Sequence, residues 1–135
     1  MRRKYPFYVV GVPNEVFNYF SKKINIIVDN KYFTNVLRKS FNAKIFTVQH
    51  HKISIALIRE LLQKNSIICH IDDHYLGDYS HVSHFVVIEK ATQKKFLIAD
   101  PWHGEKKWIL EKTLKNAIQD LKKHIKMCPL IFYLN

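Results

Sequence analysis

Cysteine is scarce in this chain: Cys69 and Cys128 are the only two among 135 residues. Two thiols exclude a disulfide-stapled scaffold, and both sit in apolar runs, where reduced, buried cysteine is the default. Glycine and proline are also few, 3 and 4 residues, which leaves no room for long flexible linkers. No apolar run approaches the roughly 20 residues of a membrane-spanning helix. The basic start, Met1-Arg2-Arg3-Lys4, leads into a short aromatic run broken by Pro6, with no small-residue cleavage site after it, so it does not read as a secretory signal. The expectation is one soluble, cytoplasmic domain spanning residues 1–135. A chain of this length buries roughly two thirds of its unfolded surface, enough to fold without cross-links or metals.

Acidic residues are the other shortage. Asp and Glu number 11 against 22 Lys and Arg, a formal net charge of +11. Such an excess favours an anionic partner: nucleic acid, an anionic membrane surface or an acidic peptide. A chain rich in Lys, Ile, Asn and Phe also acquires this charge simply as a solvated lysine surface. The basic residues are spread rather than clustered, with Lys106-Lys107-Trp108 and Lys122-Lys123-His124 as short patches. No nucleic-acid motif accompanies them, so a basic single-strand-binding module stands as an alternative rather than the expectation.

What is present is periodic. A short strand is expected at 7–10, a break at 11–14, then a helix carrying Val16, Phe17, Tyr19, Phe20 and Ile24. An apolar run at 24–28 ends in Asp29-Asn30. Phe33, Val36, Leu37 and Phe41 recur at helical spacing over 31–41. A strand follows at 44–48, then a helix opened by Ser54 and carrying Ile55, Ile58, Leu61 and Leu62. From residue 66 the character changes: a buried strand at 66–71, a polar loop at 72–83, and two strands at 84–88 and 95–99 forming a hairpin. A turn at 100–104, a short strand at 108–110, a helix marked by Leu114, Ala117, Ile118 and Leu121, and a closing strand at 129–134 complete the chain. Helices early and a mostly antiparallel sheet later define an α+β class.

The chemistry concentrates in Ser83-His84-Phe85-Val86-Val87-Ile88 and Phe96-Leu97-Ile98-Ala99-Asp100-Pro101-Trp102. His84 opens one strand of the hairpin and Asp100 closes the next. On an antiparallel pair these positions fall at the same end of the sheet. A carboxylate there orients an imidazole, fixes its tautomer and leaves the other ring nitrogen to act on a nucleophile. An aspartate before proline is equally a common turn signal.

A second group of donors is His70-Ile71-Asp72-Asp73-His74, with Asp78, His81, His84 and His103 close in sequence. Imidazole and carboxylate suit zinc and other first-row metals, with His70, Asp72 and His74 as the candidate set. The spacing matches no metal motif, and no cofactor is expected. Trp102 and Trp108 flank a glycine turn, either as the aromatic wall of a peptide groove or as a lid packed over the hairpin end.

A histidine, four apolar residues, a turn, a strand and then Ala-Asp-Pro-Trp resembles the papain-like cysteine peptidases that cut double-glycine leaders from bacteriocins. The strand at 67–71, the helix at 112–123 and the final strand fit the same pattern, which covers about half the chain, from Ile55 onward. The resemblance implies a papain-like fold, N-terminal helices packed on a mostly antiparallel sheet, and a peptide or protein substrate. It implies His84 as general base and Asp100 as its orienting partner, with hydrolysis through a thioester. That family carries its cysteine at the start of the first helix and a glutamine just upstream. Here neither a Cys nor a Gln precedes Gln49. Three explanations stay open: a relative that binds peptide without cutting it, a cysteine-bearing segment upstream, or another thiol. Cys69, mid-strand and fifteen residues before His84, is the candidate for the last.

Overall fold

The computed structural model describes residues 23–76, 80–101 and 104–134. The strand expected at 7–10, the helix expected from Pro13, and Asp78, Trp102 and His103 lie outside the described residues.

The first described strand, β1 (Ile24–Val28), is buried at all five positions. An apolar, isoleucine-rich run covered on both faces forms a central strand, and Ile24 accordingly begins this strand rather than closing the preceding helical stripe. After it, Asn30 caps helix α1 (Lys31–Ser40), its side-chain oxygen accepting the Phe33 amide at 2.8 Å. The helix buries Phe33 and Leu37, and Phe41 caps its end by donating to the Leu37 carbonyl at 2.9 Å. The chain then returns as β2 (Phe46–His50), parallel to β1.

Helix α2 (Ile55–Leu62) is capped as its sequence predicts: Ser54 Oγ accepts the Leu57 amide at 3.1 Å. The remaining strands are β3 (Ile67–Asp72), β4 (Ser83–Ala91), β5 (Lys95–Asp100), β6 (Glu105–Leu110) and β7 (Leu130–Leu134). Helix α3 (Glu111–Asp120) passes into one π-helical turn, Leu121–Ile125, closed by Lys126 in the left-handed region at φ 65°. A single 3-10 turn, Asp73–Leu76, follows β3.

Seven strands form one sheet in the order β2-β1-β7-β3-β4-β5-β6. Every described pair but β1 with β2 is antiparallel. The final strand β7 inserts between β1 and β3, so it joins two sections of sheet built from distant parts of the chain.

Two apolar cores follow from the alternation of the strands. On one face α1 packs Phe33 and Leu37 onto Ile24, Ile26, Val28, Leu130 and Phe132. On the other, Ile58 of α2 and Leu114, Ala117 and Ile118 of α3 pack onto Ile67, Cys69, Ile71, Val86, Ile88, Phe96 and Ile98. Arg59 fastens α2 to the β4–β5 turn: its guanidinium donates to the carbonyls of Thr92 at 2.6 Å and Gln93 at 3.0 Å, pairs with Glu111 at 2.7 Å and lies 4.6 Å over the Phe96 ring.

Candidate functional site

His84 is the second residue of β4 and faces Ile71 across the β3–β4 pair. Asp100 ends β5. Continuing the Val87↔Ala99 register brings Asp100 beside Val86, on the same face of the sheet as His84 and one diagonal step away. The imidazole spans that diagonal: His84 Nε2 meets Asp100 Oδ1 at 2.8 Å, with both side chains almost fully buried. The hairpin geometry read from the sequence is therefore present. Asp100 is fixed from behind by its own turn, where the Gly104 amide donates to the Asp100 carbonyl at 2.8 Å. That turn needs φ 64° at residue 104, a conformation glycine adopts without a steric penalty.

A third buried group joins the pair. Asp73, the residue after β3, brings an oxygen within 4.8 Å of ligating atoms of both His84 and Asp100. Its amide donates to the Val82 carbonyl at 2.8 Å, which holds the turn against the start of β4. Sequence reasoning placed Asp73 in a polar loop. The signal that would have moved it is the pairing itself: Asp72 faces Ser83, and Asp73, one residue on, falls on the same face of the sheet as Ile71 and His84.

Both thiols are buried. Cys69 lies mid-β3 between Val86 and Ile131, 1% exposed, and its thiol donates to the carbonyl of the adjacent His70 at 3.8 Å. Burial pushes its pKa up to about 12. Cys128 sits in the opposite core, its thiol directed at the Pro129 carbonyl at 3.4 Å. Burial again pushes its pKa up to about 12, with Asp29 and Lys122 as lesser influences. A thiolate is the nucleophilic form, and both sites disfavour it.

Of the two tryptophans, Trp102 lies outside the described residues. Trp108, on β6, faces Leu97 of β5, which puts it on the opposite face of the sheet from Asp100, half exposed.

The metal candidates are redistributed. His70 is buried and turned to the other core, stacked on Phe85 at 4.3 Å with its Nδ1 3.3 Å from the Cys128 carbonyl. Burial first, and the neighbouring His84 charge third, hold its pKa down at about 4, against the smaller opposing effect of the Cys128 bond. Asp72 instead meets His81, Oδ2 to Nδ1 at 2.6 Å, while its Oδ1 accepts the His74 amide at 3.1 Å. His74 contributes its ring by stacking on His81 at 4.3 Å. So the set His70, Asp72 and His74 does not converge; His81, counted from the sequence among the nearby donors, meets Asp72 and Asp120, and His124, read only as part of a basic patch, stacks on it.

Among known families, the model of the Peptidase C39 family matches residues 29–117. No curated protein and no solved structure gives a significant match. The matched stretch is well over half of the chain. It runs from the end of β1 into α3 and so reaches further upstream than the sequence resemblance, taking in α1 and β2.

Proposed function

The chain belongs to the Peptidase C39 family and has its α+β, papain-like fold, and we propose that it binds an extended peptide at the His84–Asp100 end of the sheet without forming a thioester. The observation that carries this reading is the contrast between an intact imidazole–carboxylate bond of 2.8 Å and two thiols whose pKa values burial raises to about 12.

A base acting from His84 would act through Nδ1, because Nε2 is engaged by Asp100. Covalent peptide hydrolysis then needs an ionised sulfur beside that nitrogen. Cys69 is on the same face of the sheet as His84, but its sulfur is enclosed among Ile67, Ile71 and Val86. What remains of the machinery is a buried imidazole pre-oriented by its carboxylate at one end of the hairpin, the end of the sheet against which an extended peptide would lie. The substrate class in this reading is an extended, leader-like peptide. The chain's net charge of +11 favours one carrying acidic residues, and two reduced buried thiols suit a cytoplasmic setting.

The test is a titration of a fluorescently labelled, acidic, double-glycine peptide, read by anisotropy, with mass spectrometry of the same samples. Saturable binding with intact peptide is expected. His84→Ala should weaken it by roughly tenfold, the value of one charge-assisted hydrogen bond, while circular dichroism stays native. Cleavage that His84→Ala abolishes would replace the binding reading with a peptidase reading in which another nucleophile serves. Absent binding, or affinity indifferent to His84→Ala while stability falls, would make the pair structural and overturn both.

A further inference from the structure

At the end of β3, on the far side of the Asp72–Asp73 peptide from the pair above, three segments bring imidazoles and carboxylates together. Asp72 comes from the strand end, His81 from the loop before β4, Asp120 from the last turn of α3, and His124 from the π-helical turn. One ligating atom from each of Asp72, His81 and Asp120 lies within 4.8 Å of the others. His124 Nε2 is 3.7 Å from Asp120 Oδ2, and its ring stacks on His81 at 4.4 Å. We propose that Asp72, His81 and Asp120 form a binding site for one divalent first-row cation, of which zinc is the best match, with His124 stacked on His81 as the residue that positions that ligand.

Distances support this. Tetrahedral zinc holds nitrogen and oxygen at about 2.0–2.2 Å, so its ligand atoms stand about 3.3 Å apart. The 2.6 Å between His81 Nδ1 and Asp72 Oδ2 lies just below that value, and Asp120 has an oxygen within 4.8 Å of both residues. The proton between His81 Nδ1 and Asp72 Oδ2 occupies the place the ion would take, and small side-chain shifts open the space. The donor set is two carboxylates and one imidazole, with a fourth position open to water, which suits zinc better than the all-oxygen sites of calcium or magnesium. With the ligating imidazole neutral, the two carboxylates balance a dication, in a chain that otherwise carries a large positive excess.

The surroundings have the form of a second shell. Asp72 is fully buried, and its other oxygen is fixed by the His74 amide, so Oδ2 is aimed at His81. The His74 ring stacks on His81 from the side away from His124, which sets the plane of that ligand. His124, four residues after Asp120, lies in the π turn that follows α3, a local irregularity that recurs at functional sites. His81 and His124 are partly exposed, so the ion has a path in from solvent. Bound there, it would clamp the β3 end, the β3–β4 loop and the C-terminal turn.

The experiment uses the full chain stripped with a chelator and titrated with zinc alone, followed by calorimetry and by the shift in melting temperature. One ion per chain and a raised melting temperature are expected. His81→Gln and His124→Gln, both at partly exposed positions that should not compromise folding, are expected to weaken binding by roughly 100-fold and roughly tenfold respectively, since outer-shell partners are worth roughly 10- to 100-fold and a ligand at least as much. Asp72→Asn should do the same, but its burial makes the two histidine variants the deciding ones. No stoichiometric binding would overturn the site. So would binding that survives both histidine variants, or that is lost on Asp100→Asn instead, which would assign the ion to the buried Asp73–His84–Asp100 group.

Discussion

Replacing His70 with phenylalanine isolates the effect of one buried imidazole. The ring is fully enclosed and flat against Phe85, and among the described residues its Nε2 has no hydrogen-bond partner. Phenylalanine keeps the stacking shape and removes both nitrogens. Burial holds the folded pKa at about 4, against 6.5 for the ordinary group. The fold therefore prefers the neutral ring. Above pH 6.5 neither state is protonated and His70 is silent. Between 6.5 and 4 the unfolded chain takes up a proton that the folded chain refuses, and stability falls by about 1.4 kcal/mol per pH unit, about 3 kcal/mol in all. At pH 7.5 the variant should lie within about 1.5 kcal/mol of wild type, the loss of a single long hydrogen bond to the Cys128 carbonyl. At pH 5 it should have gained about 2 kcal/mol relative to wild type over the pH 7.5 difference. Urea unfolding followed by tryptophan fluorescence, at pH 7.5, 6 and 5 with EDTA present, reads the difference. The other seven histidines are common to both proteins and cancel. Parallel stability curves for the two proteins would refute the argument that burial of this ring is linked to acid sensitivity.

With their pKa values near 12, Cys69 and Cys128 should alkylate at neutral pH about a thousandfold more slowly than an ordinary thiol; mass spectrometry after iodoacetamide measures it, and labelling of native protein within minutes would contradict the burial argument. Arg59→Ala removes four interactions that fasten α2 to the hairpin, so a loss of about 1–2 kcal/mol in urea unfolding is expected; an unchanged midpoint would show that solvent replaces them. Gly104→Ala meets no atom within 4 Å but must hold φ 64°, which should cost about 1 kcal/mol through backbone strain alone; a melting temperature equal to wild type would mean the turn relaxes without penalty.

Much of the fold was legible because its signals are local. Asn30 and Ser54 announce helix starts, and both cap as their chemistry predicts. The His84–Asp100 contact follows from two strands, a short turn and the alternation of side chains. Other features depend on partners far along the chain. Nothing near residues 46–50 says that this strand runs parallel to 24–28, nor that residues 130–134 separate β1 from β3. The strand expected at 108–110 begins at Glu105, because pairing with β5 overrides the low strand propensity of Glu-Lys-Lys. The helix expected to reach residue 123 yields after Asp120 to a π turn that no propensity marks. The convergence of Asp120 and His124 on Asp72 and His81 was invisible for the same reason, since it joins residues some fifty positions apart through the packing of α3 on β3.

The position of β7 dictates when this sheet can be finished. Ile24 pairs with Leu134, a separation of 134 − 24 = 110 residues. During synthesis β2 and β1 can pair on one side and β3 to β6 on the other, yet the seam between them stays open until residues 130–134 emerge. Until then β1 and β3 each present an unpaired edge of buried-type side chains to the cell. Closure of so distant a contact is slow, so the interval between emergence of the hairpin and insertion of the last strand is when this chain is most exposed to misassociation.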